Sequence, residues 1–284
     1  MQPRSLGVGL ALAALVILAG CSAFGTAGPS TGDRTVTPAP VPTPEPSPPP
    51  GVTTDGVRDP ERLGVVHERH LTNRSYTVTV VHTIRFANGT RVRRLERGRT
   101  VGTDGAITAW TLGKRSEQDD NETSVSRRAW SNESVRVLRL RYANGTTEYT
   151  VSQSRQRYPY RRTGNAVARI LSSEDADVVA VDTDTDPSTY TLLSRNLTGQ
   201  RSAAADLKRV ETSSIRAVVT DAGLIRHASI RYTGTRDGAP AVANSTVSFD
   251  TTPKTVTRPT WVETALEQRD QENGNTTERT QAAG

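Results

Sequence analysis

The pattern that most limits the fold of this chain is a two-residue hydrophobic period interrupted by tight turns. In Tyr76-Thr77-Val78-Thr79-Val80-Val81-His82-Thr83-Ile84-Arg85-Phe86 the even positions are mostly apolar, as in a long strand with one buried face. Asn88-Gly89 follows at once, and these two residue types best tolerate the positive φ of a two-residue hairpin loop. Asp104-Gly105, Asn144-Gly145, Asp221-Ala222-Gly223 and Asp237-Gly238 supply further turn signals. Between them, strands are predicted at residues 91–102, 106–113, 123–130, 134–143, 146–154, 177–183, 188–195, 213–221, 223–233 and 243–250. The segment Arg85-Phe86-Ala87-Asn88-Gly89-Thr90 recurs as Arg141-Tyr142-Ala143-Asn144-Gly145-Thr146. Two such copies are one hairpin solution used twice, not a solenoid repeat.

Helical signals are fewer. Asp59-Pro60 pairs an N-cap with a proline at the first helical position. A helix is predicted from Pro60 to about Leu71, with Leu63, Val66, His67, His70 and Leu71 on one face. Ala166–Ser172 and Ala203–Val210 read as short helices, and Trp261–Gln268 as a last one after Pro259. Connections this short join antiparallel neighbours, whereas a parallel sheet needs long alternating helices. The expected fold is α+β: a large antiparallel meandering sheet with a few helices packed on one face.

The N-terminal segment reads as an export signal. Arg4 precedes an uncharged apolar run, Leu6 to Gly20, of 15 residues. That is shorter than the roughly 20 residues that span a bilayer and suits a signal peptide over residues 1–20. Leu18-Ala19-Gly20-Cys21 resembles the lipobox of prokaryotic lipoproteins. In that family the cysteine thiol is alkylated by a diacylglyceryl-type lipid and the peptide bond before it is cleaved. The resemblance implies a protein anchored to the extracytoplasmic face of the membrane through lipid on Cys21. The alternative is an uncleaved, slightly short anchor. Cys21 is the only cysteine of the chain, so a disulfide framework and Cys-rich metal sites are excluded. Residues 21–50 then hold a Thr/Pro-rich spacer ending TPAPVPTPEPSPPP. As polyproline, its last 14 residues reach roughly 43 Å. Residues 51–268 remain as the sheet domain, and polar residues 269–284 read as a disordered tail.

Eight of the ten asparagines lie in N-x-[ST] sequons: Asn73, Asn88, Asn121, Asn132, Asn144, Asn196, Asn244 and Asn275. In an exported chain these are candidates for N-glycosylation. Charge is uneven as well. Residues 51–171 carry 22 Lys+Arg against 12 Asp+Glu, while residues 172–284 carry 12 against 16. Within residues 134–143, Arg139 and Arg141 alternate with Leu138, Leu140 and Tyr142. The sheet is therefore expected to have one wet, cationic face, suited to an acidic envelope component, acidic glycans or anionic headgroups. Nucleic acid is not an expected partner of an exported, lipid-anchored chain without a binding motif.

Catalytic and metal motifs are lacking. His67-Glu68-Arg69-His70 does not have the H-E-x-x-H spacing of zinc proteases. Asp182-Thr183-Asp184-Thr185-Asp186 begins like a calcium loop, but Pro187 and Leu193 stand where Gly and Glu are needed. No nucleophile elbow, P-loop or dinucleotide fingerprint occurs. No catalytic residue, metal site or cofactor is expected, and the chain is read as a non-enzyme.

The lipobox, the Thr/Pro spacer, Pro49-Pro50-Gly51-Val52 before the opening helix and Asn73-Arg74-Ser75-Tyr76 at the first long strand form a recognisable layout. With Asp221-Ala222-Gly223-Leu224-Ile225 and Pro259-Thr260-Trp261-Val262, it resembles haloarchaeal surface lipoproteins of unknown function. Those are similar in layout to half-barrel lipoproteins of the LolA-like and LppX/LprG-like group. The resemblance implies a half-barrel sheet holding a lipid or other hydrophobic ligand. Tyr76, Val78, Val80, Ile84 and Phe86, with Leu138, Leu140 and Tyr142, would then line its concave wall. The other reading is a structural or interaction module of the envelope that works through the arginine face.

Overall fold

The described residues open with a two-stranded hairpin, β1 (Val52–Thr53) and β2 (Gly56–Val57), followed by helix α1 (Pro60–Leu71). Six strands come next: β3 (Tyr76–Phe86), β4 (Arg91–Val101), β5 (Ile107–Arg115), β6 (Ser126–Ser131), β7 (Val135–Arg141) and β8 (Thr147–Gln153). Five more complete the sheet: β9 (Asp177–Asp182), β10 (Thr189–Arg195), β11 (Arg209–Thr220), β12 (Ile225–Arg236) and β13 (Ala239–Asp250). Helix α2 (Thr260–Ala282) closes the chain. The structure is a computed structural model and describes residues 47–115, 126–154, 167, 168, 171, 176–195, 197 and 207–282. All of them belong to one unit, Glu45–Gly284.

The sheet is a single antiparallel array of 11 strands in the order β8-β7-β6-β5-β4-β3-β13-β12-β11-β10-β9. It is two meanders, β3–β8 and β9–β13, joined where β13 returns beside β3. It does not close, so β8 and β9 are its edges. The α+β class and the antiparallel meander stand as expected.

Cross-strand register defines the two faces. Val78 lies opposite Phe249 and Arg99, and Ile84 opposite Ala243 and Arg93. The first face carries the main core, in which Ile84, Leu192, Ile215, Ala217, Val219, Ala228 and Ala243 are all buried. Helix α1 lies on this face. Its Leu63 joins that core, and its Leu71 packs with Tyr76, Val78, Val101 and Phe249. Val167 and Leu171, which fall between the two edge strands in sequence, are buried in the same core. A buried side chain of this size contributes about 1.5–3 kcal/mol.

Helix α2 packs on the other face. Its Val262 and Ala265 are buried with Trp130 and Val137, which continue the line of Thr77, Thr100 and Thr108 across the strands. The two helices therefore clamp opposite faces of the sheet, a refinement of the expected one-sided arrangement. Among the described residues, no helix is long and apolar enough to cross a membrane.

Local chemistry explains the boundaries. Asp59 Oδ1 accepts from the Arg62 N–H at 2.9 Å and caps α1, with Pro60 behind it. Gly98 lies under the Trp110 indole, which leaves no room for a Cβ. Gly234 faces the Arg209 carbonyl where β11 bulges, and a Cβ there would strike backbone. Two expectations need correction. Residues 209 and 210, expected in a short helix from Ala203, open β11 instead, because Lys208 N–H and the strand itself pair with the end of β12. β13 starts at Ala239 rather than 243, since Asp237 and Gly238 both take positive φ and continue the ladder without a break. The last helix, expected over Trp261–Gln268, has bounds Thr260–Ala282.

Candidate ligand-binding face

The expected wall residues fall on one face, as register requires. Tyr76, Val78 and Ile84 are buried there, and Val80 and Phe86 are half-buried. Leu138 and Leu140 share that face four strands away, about 19 Å at the usual strand spacing, and both are half-buried. The wall is not continuous. The first five residues pack with α1 and the core, while Leu138, Leu140 and Tyr142 sit near the β8 edge.

What lies between them is the feature that sequence reasoning missed. One cross-strand row reads Val80–Arg97–Thr111–Arg127–Leu140–Glu148. The next reads Val78–Arg99–Ala109–Ala129–Leu138–Thr150, and a third Tyr76–Val101–Ile107–Ser131–Arg136–Ser152. Leu95 follows Arg97 on β4, opposite Gly113. The middle of this half-face is thus floored by small residues, Ala109, Thr111 and Ala129. Leucines and arginines rise on either side. Arg97, Arg127 and Arg136 are exposed, and Arg93 and Arg99 are half-buried. The Tyr142 hydroxyl donates to Glu148 Oε2 at 2.8 Å. That bond to the carboxylate raises the phenol above its ordinary range and occupies the acidic group of the row.

The expectation of one cationic face is therefore corrected: the arginines divide between both. Arg93, Arg97, Arg99, Arg127 and Arg136 share the face of Val78, while Arg94, Arg128, Arg139 and Arg141 lie on the other. The reason is the R-x-R-R-L-E-R-G-R run of β4, which puts arginine at both parities. On the second face several are engaged. Arg94 pairs with Glu96 at 2.7 Å, Arg139 stands 5.2 Å from the Trp261 ring centre, and Arg258 stands 5.5 Å from that of Trp130. The Asn88-Gly89 turn marked the hairpin, but its loop is Ala87 to Gly89, closed by Phe86 N–H to Thr90 O, not the expected two-residue loop. The bulge between Ile84 and Arg85 is what sets residue 84 opposite 93 and residue 80 opposite 97.

The two histidines of α1 separate. His67 is fully buried, its Nδ1 accepting from the Ile225 N–H at 3.2 Å and its ring edge-on to Phe249 at 4.5 Å. Burial, with His70 nearby, lowers its pKa to about 4. His70 instead reaches the Ala222 carbonyl at 2.7 Å. The Asp182–Asp186 segment is the turn between β9 and β10. A cleft of about 220 Å³ at the opposite end of the strands from Asn88 is lined by Asn73, Arg74, Tyr76, Asp104 and Glu133; it is polar, unlike a lipid pocket.

Leu18, Ala19, Gly20 and Cys21, and the sequons Asn121 and Asn196, lie outside the described residues. Asn88 and Asn144 are exposed on hairpin tips, and Asn73 is exposed just after α1. Asn132 is half-buried at the β6–β7 turn, Asn244 is half-buried within β13, and Asn275 is in α2.

No protein-family model matches the chain, and no curated protein matches it. Among solved structures, it aligns with a LolA superfamily protein from Nitrosomonas europaea at 7% identity, covering 69% of this chain and 94% of that one, with a TM-score of 0.23. It also aligns with an outer membrane lipoprotein-sorting protein domain from Vibrio parahaemolyticus at 6% identity, covering 69% and 95%, with a TM-score of 0.22. Overlaps this loose do not transfer a function.

Proposed function

We propose that this chain is a lipid-anchored, extracytoplasmic surface protein without catalytic activity, whose first sheet face takes up an amphipathic ligand with an acidic head. Leu18-Ala19-Gly20-Cys21 and the Pro-rich spacer support the anchor. The observation that carries the binding reading is the half-face in which Arg97, Arg127 and Arg136 are exposed among Leu95, Leu138 and Leu140. Guanidinium groups pair with phosphate or carboxylate oxygens, while the leucines and the small-residue floor accept an apolar chain. A purely hydrophobic ligand would leave those arginines desolvated without a partner, at a cost of several kcal/mol. An amphiphile satisfies both.

The test is lipid mass spectrometry on protein purified from its native membrane, together with flotation on vesicles with and without anionic lipid. The expected result is a co-purifying acidic lipid, and anionic-vesicle binding that falls at least tenfold in Arg97→Glu/Arg127→Glu. Absence of bound lipid, with equal flotation on neutral and anionic vesicles, would sink the reading. A second reading draws on Arg128 and Arg141, exposed on the other face. They suit contact with an acidic envelope surface. In that case Arg128→Glu/Arg141→Glu would abolish retention by envelope fractions while leaving lipid uptake intact.

A further inference from the structure

Among the six sequons whose asparagine is described, two are built alike and exposed throughout. At Asn88, Oδ1 accepts from the Thr90 N–H at 2.9 Å. At Asn144, Oδ1 accepts from the Thr146 N–H at 2.9 Å. The surrounding backbone repeats as well. Phe86 N–H donates to Thr90 O at 2.9 Å, as Tyr142 N–H does to Thr146 O at 2.9 Å. Gly89 and Gly145 both take φ of 87°. Asn, Gly and Thr are exposed in both tips. In this turn the carboxamide oxygen is committed to the backbone, which raises the acidity of the Nδ2 protons and leaves nitrogen as the remaining polar atom of an exposed side chain.

The other described sequons lack one or more of these features. Asn244 is laddered on both sides, to Arg231 and Thr83, and its Oδ1 accepts from Ser229 Oγ at 3.0 Å. The Ser75 hydroxyl of the Asn73 sequon is buried and accepts from the Lys254 N–H at 2.9 Å. Asn132 is half-buried with Oδ1 held by two N–H groups, of Ser134 and Val135. Asn275 has helical backbone.

Strand direction adds a second fact. β3 and β7 run the same way, so both tips stand at one end of the sheet. Pro50, where the spacer joins the domain, lies beside Gly223 in the β11–β12 turn, at the opposite end.

We infer that Asn88 and Asn144 are N-glycosylated, placing glycans on the end of the sheet away from the tether. The step joins Asn Nδ2 to the anomeric carbon of a sugar carried on a polyprenyl phosphate or diphosphate. The bond from that carbon to the phosphate oxygen breaks, its electron pair leaves with the lipid phosphate, and Nδ2 gives up one proton. The inference rests on the exported location proposed above. It adds that the tether end is left bare and the far end is covered by sugar.

The experiment is glycopeptide mass spectrometry on the full chain purified from its native membrane, with the Cys21 peptide read in the same sample. Sugar mass is expected on the Asn88 and Asn144 peptides and none on the Asn244 peptide. Asn88→Asp and Asn144→Asp keep the turn acceptor and remove the nitrogen, so each is expected to lose one glycan and stay folded. Thr90→Ala and Thr146→Ala, which leave the asparagines in place, should lose the same masses. Bare Asn88 and Asn144 peptides beside a lipidated Cys21 overturn the inference while leaving the anchored location intact. Sugar on Asn244 overturns the structural selection.

Discussion

His67 gives the sharpest test of how α1 is held against the sheet. Its ring is buried between the Ile225 N–H and the Phe249 edge. Desolvation, reinforced by His70, lowers its pKa from 6.5 to about 4. In the unfolded chain the group titrates near its ordinary value. Between about pH 6.5 and pH 4 the unfolded state therefore binds a proton that the folded state refuses, and stability falls as pH falls through that window. The full difference of 2.5 units, from 6.5 to about 4, corresponds to about 3 kcal/mol. By about pH 4.5 roughly 2 kcal/mol of that is lost. Urea unfolding at neutral pH and at about pH 4.5 measures it, with His67→Phe as the control that cannot titrate. Carboxylates contribute to the acid slope of both proteins, so the difference between the two slopes isolates His67. The wild type is expected to lose about 2 kcal/mol more than the variant. Equal slopes, or an imidazole NMR titration centred near 6.5, would refute the reasoning.

Other outcomes follow from single contacts. Gly98→Val forces the Trp110 indole off β4, costing about 1–3 kcal/mol; an unchanged tryptophan fluorescence spectrum and denaturation midpoint would contradict that contact. Val262→Ala removes fully buried atoms from the α2 core and should cost roughly 1–2 kcal/mol, seen as an earlier thermal transition. Cys21→Ser is expected to move the protein from the membrane pellet to the soluble exported fraction; retention in the pellet after detergent-free washing would count against the lipid anchor.

Much of the sheet could be read locally. Hairpins such as β3–β4 and β7–β8 announce themselves through alternation and an Asn-Gly turn, because their register is settled within a few residues of the loop. The start of β11 and of β13 could not. Residues 209 and 210 carry no period that outweighs a helix, and Pro240 lowers the strand expectation; long ladders with β12 decide both. The arginine half-face was half legible. The Asn-Gly turn announces the β3–β4 hairpin, but Arg93, Arg97 and Arg99 reach this face through the bulge between Ile84 and Arg85, and their rows with Arg127 and Leu140 depend on the register of β5 and β6 across a connection outside the described residues.

By itself, the sequence determined the antiparallel class, the hairpin turns, the capped helix α1, and an N-terminus whose lone cysteine sits in a lipobox-like setting. These are local matters of period, φ preference and motif. Only the tertiary structure decided that β13 returns to pair with β3, that α1 and α2 cover opposite faces, and that Arg97, Arg127 and Arg136 share a face with the apolar wall. The physical reason is that strand alternation says which residues lie together on a strand. It does not say which neighbour the strand will take, or which of its two faces will meet a helix.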